Sequence, residues 1–187
     1  MEYRTLPDGP LTADDLLHLP EDDRRRTELV RGKLVRGSPT LAEHAAAAVS
    51  LGARLRDHVR ERGLGTVFTG EVGFVLSTEP DTVRAPDVAF VSAERLPPNG
   101  PPRAYLRLAP DLAVEIPFPA TPALAVVSVV MDYLLAGTRQ VWVLDPASRT
   151  ATLYRGFDDI RILTAEDELD GGDLAPGFRA RVGEVMG

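Results

Sequence analysis

With 187 residues, no cysteine and a net charge of −7, the chain has room for one domain with a substantial core and excludes both a disulfide framework and thiolate metal sites. The acidic balance argues against a strong non-specific grip on DNA, which comes from neutralising phosphates. The opening Met1-Glu2-Tyr3-Arg4 lacks the basic-then-apolar start of a secretion signal, and the longest apolar run falls short of the roughly 20 residues that cross a bilayer, so a cytoplasmic protein is expected.

Residues 1–10 contain Pro and Gly and are expected to be loosely ordered. Thr12 then starts a short helix with Asp15 as its capping-box partner, Leu16, Leu17 and Leu19 as its apolar side and Pro20 as its end. The charge run Glu21 to Arg26 reads as a solvated turn. Thr27 to Val35 reads as a hairpin turning at Arg31-Gly32. A long helix follows, roughly Leu41 to Arg62, with Ala45, Ala48, Val49, Leu55 and Val59 at helical spacing and Arg54, Arg56, Arg60 and Arg62 on the other side. Gly63 and Gly65 stop it.

Gly65 to Ser77 reads as two strand pieces around Gly70, and Glu71 beside it is a possible member of an acidic cluster. Residues 92–110 form a Pro-rich surface loop. Three short apolar runs bounded by Pro, Asp and Gly read as buried strands: Arg84 to Val91, Asp111 to Ile116 and Val141 to Leu144. Between the last two, Thr121 and Pro122 fit an N-cap and a first-turn proline, and Gly137 fits the residue past a helix C-terminus.

Two of these strands carry one carboxylate each, Asp87 and Glu115. An acid inside an apolar strand is costly to bury unless something pairs with it. A divalent cation shared by the two acids supplies such a pairing. The plainer alternative is that Asp87 merely starts a strand and Glu115 faces water.

In order along the chain stand Glu-Leu-Val-x-Gly, Ala-Pro-Asp-Val-Ala-Phe-Val, Pro-Asp-Leu-x-Val-Glu-Ile, Asp-Tyr-Leu-x-Ala-Gly and Val-Trp-Val-x-Asp-Pro. This succession, running from about Leu11 to Phe178, resembles the Uma2 family of bacterial restriction-endonuclease-like proteins within the PD-(D/E)xK nuclease superfamily. The resemblance implies an α/β (α+β) fold with a mixed central sheet flanked by helices. It implies Asp87 and Glu115 as ligands of Mg²⁺ (or Mn²⁺) and Glu28 as a third catalytic acid. It gives His44 a supporting role toward substrate, and with Arg54 and Arg60 a weak nucleic-acid contact. The segment from Tyr154 to Gly187 resembles the family's closing hairpin.

One expected group is missing. In such nucleases a lysine near the second acid orients water and offsets charge on the phosphorane. The two places for it hold Pro117 and Val129, and Phe118 stands where the family tends to show a serine. Lys33 is the only lysine in the chain and belongs to the first hairpin, and Arg139 is a conceivable substitute. The helix over residues 122–136 is apolar nearly all round, with Ser128 and Asp132 as its only polar stripe. A large exposed apolar patch marks a partner site. Leu124, Val126, Val127, Val129, Val130, Met131 and Leu134 are therefore expected to pack on another subunit, a surface reworked by evolution or by design. Three functions follow: an assembly subunit with a blunted nuclease site, an active Mg²⁺-dependent DNA endonuclease, or a nucleic-acid-binding module without cleavage.

Overall fold

The computed structural model of the protein describes residues 9–70 and 72–187. The expectations for most of the N-terminal ten residues and for Glu71 fall outside them. Helix α1 (Ala13–Leu17) opens on the expected capping box, Thr12 and Asp15 exchanging hydrogen bonds. The run after Pro20 is not a turn but a one-turn helix, α2 (Glu21–Arg24), with three acids in its first turn, where the helix dipole favours them. The hairpin is present as β1 (Thr27–Val30) and β2 (Lys33–Arg36). Its turn places Arg31 and Gly32 at positive φ, and a Cβ on Gly32 would meet Pro10.

Helix α3 (Ala42–Glu61) leads to β3 (Gly65–Thr69), β4 (Phe74–Ser77), β5 (Thr82–Arg84) and β6 (Val88–Ser92). The expected single strand from Arg84 to Val91 is thus broken at Ala85-Pro86-Asp87. Pro86 has no N–H to give to a ladder, so the chain turns there from one sheet into the other. After β7 (Leu112–Glu115) come α4 (Ala123–Leu135), β8 (Gln140–Asp145), β9 (Thr150–Tyr154) and β10 (Ile160–Leu163). The chain closes with β11 (Glu168–Asp170), β12 (Arg179–Arg181) and α5 (Val182–Met186). The closing region is therefore an edge strand, a hairpin and a helix, richer than the single hairpin expected.

The strands form a six-stranded sheet, order β10-β9-β8-β7-β6-β3, a four-stranded sheet, order β2-β1-β5-β4, and the β11–β12 pair. In the six-stranded sheet β7 and β8 are the parallel pair, joined over one face by α4, as a parallel crossover requires. On the opposite face α3 and α5 cover Phe90, Leu112, Val114, Trp142 and Leu144, the larger core. On the α4 face, Val130 and Tyr133 cover Ala113 and Val141.

Two expectations about α4 need correcting. Its N-cap is Pro122, with extended backbone and no side-chain cap, so Thr121 does not play that part. Its apolar residues also divide. Val130, expected in a partner interface, is 3% exposed and packs on its own sheet, with Val129 and Leu134 beside it. Leu124, Val127 and Met131 are exposed, as is Leu135. An amphipathic helix on a sheet must bury one stripe, and here that stripe came from the same apolar run as the outward face.

Leu51 is fully buried in the larger core. Leu51→Ala is expected to lower stability by about 2–5 kcal/mol, read as a lower urea midpoint at unchanged slope.

Candidate acid cleft

Asp87 and Glu115 meet because of strand register. β6 and β7 pair antiparallel with Val88 opposite Val114, so the next step along each strand sets Asp87 against Glu115. The Ile116 N–H donates to Asp87 Oδ2 at 2.8 Å, and His44 Nε2 lies 2.8 Å from Asp87 Oδ1. His44, in the first turn of α3, is thus placed to orient the carboxylate. Tyr133 on α4 donates its hydroxyl to Glu115 Oε1 at 2.7 Å.

Glu28 reaches the same place from β1. Its Oε1 accepts from the Ala85 N–H at 2.8 Å and its Oε2 from Arg84 Nη1 at 2.6 Å. The same guanidinium donates from Nε and Nη2 to Asp132 Oδ2 on α4, at 3.1 and 2.6 Å. One buried arginine therefore ties the end of the four-stranded sheet to the helix over the six-stranded one. Burial works against the Arg84 cation, but Glu28 and Asp132 outweigh it and hold its pKa above the usual arginine value.

A cavity of about 460 Å³ opens beside these acids, lined by Glu28, His44, Asp87 and Glu115 and by Pro117, Phe118, Val126 and Val129. A second, of about 400 Å³, shares Glu28 and Asp87 and carries Arg24, Arg25 and Arg26. A third, of about 440 Å³, shares His44 and Asp87 and carries Arg56. Arg54 is instead paired with Glu184 of α5 at 3.0 Å, and neither it nor Arg60 lines these three cavities. Arg139 lines a different cavity, past the end of α4 with Arg155 and Phe157, and none of the three beside the acids. Lys33 sits exposed on β2.

Among the described residues no three or more His, Asp or Glu side chains are grouped to hold a metal ion by themselves. The electrostatics still show an excess of negative charge. The Glu115 carboxyl is pushed well above its ordinary range, first by desolvation and then by Asp87 and Glu28, against the weaker help of Tyr133 and Arg84. Desolvation and the neighbouring Glu115 also push the Tyr133 phenol up.

Sequence reasoning missed Arg84 and Tyr133 as parts of this cluster and took Asp132 for a solvent-facing stripe. The usable signal was Arg84 itself, a cation within an apolar run, which can be buried only with partners.

Arg84→Met leaves Glu28 and Asp132 without their cation and is expected to destabilise by about 3–5 kcal/mol, measured by urea unfolding. A carboxyl raised in the folded state holds its proton where the unfolded chain has lost it. The Glu115 contribution is therefore full below its ordinary value of 4.5 and is lost as pH rises through the raised value. In EDTA, Glu115→Gln is expected to melt higher than the unsubstituted protein at pH 8 and to lose less stability between pH 5 and pH 8, as thermal melts would show.

The comparisons with known proteins agree with this architecture. The crystal structure of a putative nuclease belonging to DUF820 from Anabaena variabilis ATCC 29413 superposes with a TM-score of 0.82 over 95% of this chain and 98% of that one, at 22% identity. No curated protein matches. The profile of Uma2, described as "Putative restriction endonuclease", matches residues 13–183, nearly the whole chain, and the chain belongs to that family.

Proposed function

We propose that this chain is a nuclease-lineage domain that keeps an acidic, cation-seeking cleft, cleaves DNA weakly or not at all, and associates with another subunit through the outer face of α4. The observation that carries the reading is the wall of the acid cavity. Val129 and Pro117 line it at the two places where a charge-stabilising lysine belongs, and neither side chain can donate a hydrogen bond to phosphate or water.

The donor set supports a hard divalent ion. Mg²⁺ is commonly held by one or two carboxylates, with waters and substrate phosphate completing the shell, and Glu115, raised first by desolvation, is raised further by the neighbouring Asp87 and Glu28. Asp87 and Glu115 would hold the ion, Mg²⁺ or Mn²⁺, with Glu28 nearby. When bound, such an ion polarises a phosphate oxygen and lowers the pKa of a coordinated water. The chain's own part is positional. His44 and the Ile116 N–H fix Asp87, Tyr133 fixes Glu115, and Arg84 fixes Glu28.

A second reading, metal-dependent cleavage of DNA with arginines supplying the positive charge, is favoured by the cavity in which Arg24, Arg25 and Arg26 adjoin Glu28 and Asp87. One experiment separates the two. Supercoiled plasmid is incubated with the protein and Mg²⁺ or Mn²⁺, beside Asp87→Ala, Val129→Lys and the double variant Val129→Lys/Asp87→Ala. Val129→Lys is expected to nick about 10²–10³-fold faster than the unsubstituted chain, with the gain lost in the double variant. Brisk nicking by the unsubstituted chain that Asp87→Ala abolishes would overturn the blunted-site reading in favour of the second.

A further inference from the structure

The α4 side of the six-stranded sheet carries an incomplete layer. Phe74 of β4 packs on Ala89 and Val91 of β6, and α4 covers β7 and β8 through Ala113, Val141 and Val143. Over β9 and β10 no element follows among the described residues. The register shows which way their side chains point. Val141 stands opposite Tyr154 and Val143 opposite Thr152; Tyr154 stands opposite Ile160 and Thr152 opposite Ile162. Ile160 and Ile162 therefore face the same side as α4, where they are 51% and 72% exposed. β10 is also a sheet edge, a place where unprotected apolar strands invite association.

The outer surface of α4 continues this apolar strip. Leu124, Val127, Met131 and Leu135 fall at i, i+3, i+7 and i+11 and are all exposed, Leu124 at 83% and Leu135 at 70%. The single charged residue of the helix, Asp132, is turned inward to Arg84. Two strands side by side span about 10 Å, the width of a helix with its side chains. The molecule thus presents an apolar ridge next to an uncovered apolar strip of matching width.

We propose that a second copy of the chain fills this strip. Around a two-fold axis, each α4 lies on the partner's β9–β10 floor and the two helices run antiparallel, side by side between the two sheets. The proposal rests on the association half of the function proposed above and names its partner. A ridge beside a strip of its own width is self-complementary, which a two-fold interface requires. The helix brings no exposed charge, so no like charges face each other across the two helices, and a charged partner would find nothing on α4 to pair with. The area is also adequate. The six side chains named, with exposed Phe157 in the β9–β10 turn, present on the order of 700 Å² of apolar surface, near the roughly 800 Å² that each partner buries in a stable interface.

Light scattering on a size-exclusion column tests this at micromolar concentration. The expected mass is twice the 20.2 kDa of one chain. Val127→Glu on the ridge and Ile162→Glu on the floor are each expected to halve it, with far-ultraviolet circular dichroism unchanged. Because the chain has no cysteine, Met131→Cys offers a readout that leaves the surface apolar: oxidation should link it to its own copy as a covalent dimer on a non-reducing gel. A single-chain mass would overturn the self-association, and no metal or DNA is involved, so the acid-cleft half of the function stands or falls separately on the plasmid test. A dimer broken by Val127→Glu but indifferent to Ile162→Glu would overturn the ridge-on-floor geometry while leaving association through α4 intact. A mass above two chains would overturn the closed two-fold pair.

Discussion

The ion-pair bridge centred on Arg84 is the constraint on which the rest of this architecture turns. Its guanidinium joins Glu28 of β1 to Asp132 of α4, two elements that otherwise belong to different layers. Glu28 is thereby delivered to the rim of a cavity whose other acids come from the six-stranded sheet. The bridge also accounts for the polarity of α4. A helix with one charged side chain can place that charge inward only if a buried cation receives it, and doing so strips the outer face of charge altogether. The same pairing that builds the cleft leaves an exposed apolar ridge.

The cleft is an unbalanced electrostatic site. Asp87, Glu115 and Glu28 converge, yet Arg84 is shared between Glu28 and Asp132 and stands behind the cavity rather than in it. Hydrogen bonds from His44, Tyr133 and two backbone N–H groups hold the carboxylates in place, and desolvation, with Asp87 and Glu28 after it, pushes the Glu115 carboxyl above its ordinary range. Under the function proposed above, a divalent ion would answer that excess of negative charge, while the apolar wall at Val129 would offer nothing to a phosphate that gains charge during cleavage. On that proposal, binding and catalysis are separable in one cavity.

Much of this was legible in the sequence because it is written in local pattern. The apolar runs around Asp87 and Glu115 marked strands, and the order of motif blocks marked the family, so the meeting of the two acids followed from chain pairing that such folds share. The capping box at Thr12 and the glycine after α4 were equally local. What escaped notice depends on distant partners. Arg84 and Asp132 lie 48 positions apart, and no periodicity within either segment shows that they touch. Val130 and Val127 are indistinguishable by composition; only the sheet beneath α4 decides that one is buried and the other bare. The open floor at Ile160 and Ile162 is a property of the layer as a whole, since alternation says which residues share a face but not whether anything covers it.

The account stands most directly on whether the converging acids take up a divalent ion despite the missing lysine. Titration of the metal-free protein with Mn²⁺, followed by water-proton relaxation, reads that property without any need for cleavage. One ion per chain, with uptake lost in Asp87→Ala and sharply weakened in Glu115→Gln, is the result expected of the cleft described above. No uptake at millimolar Mn²⁺, or uptake undiminished in both variants, would contradict it.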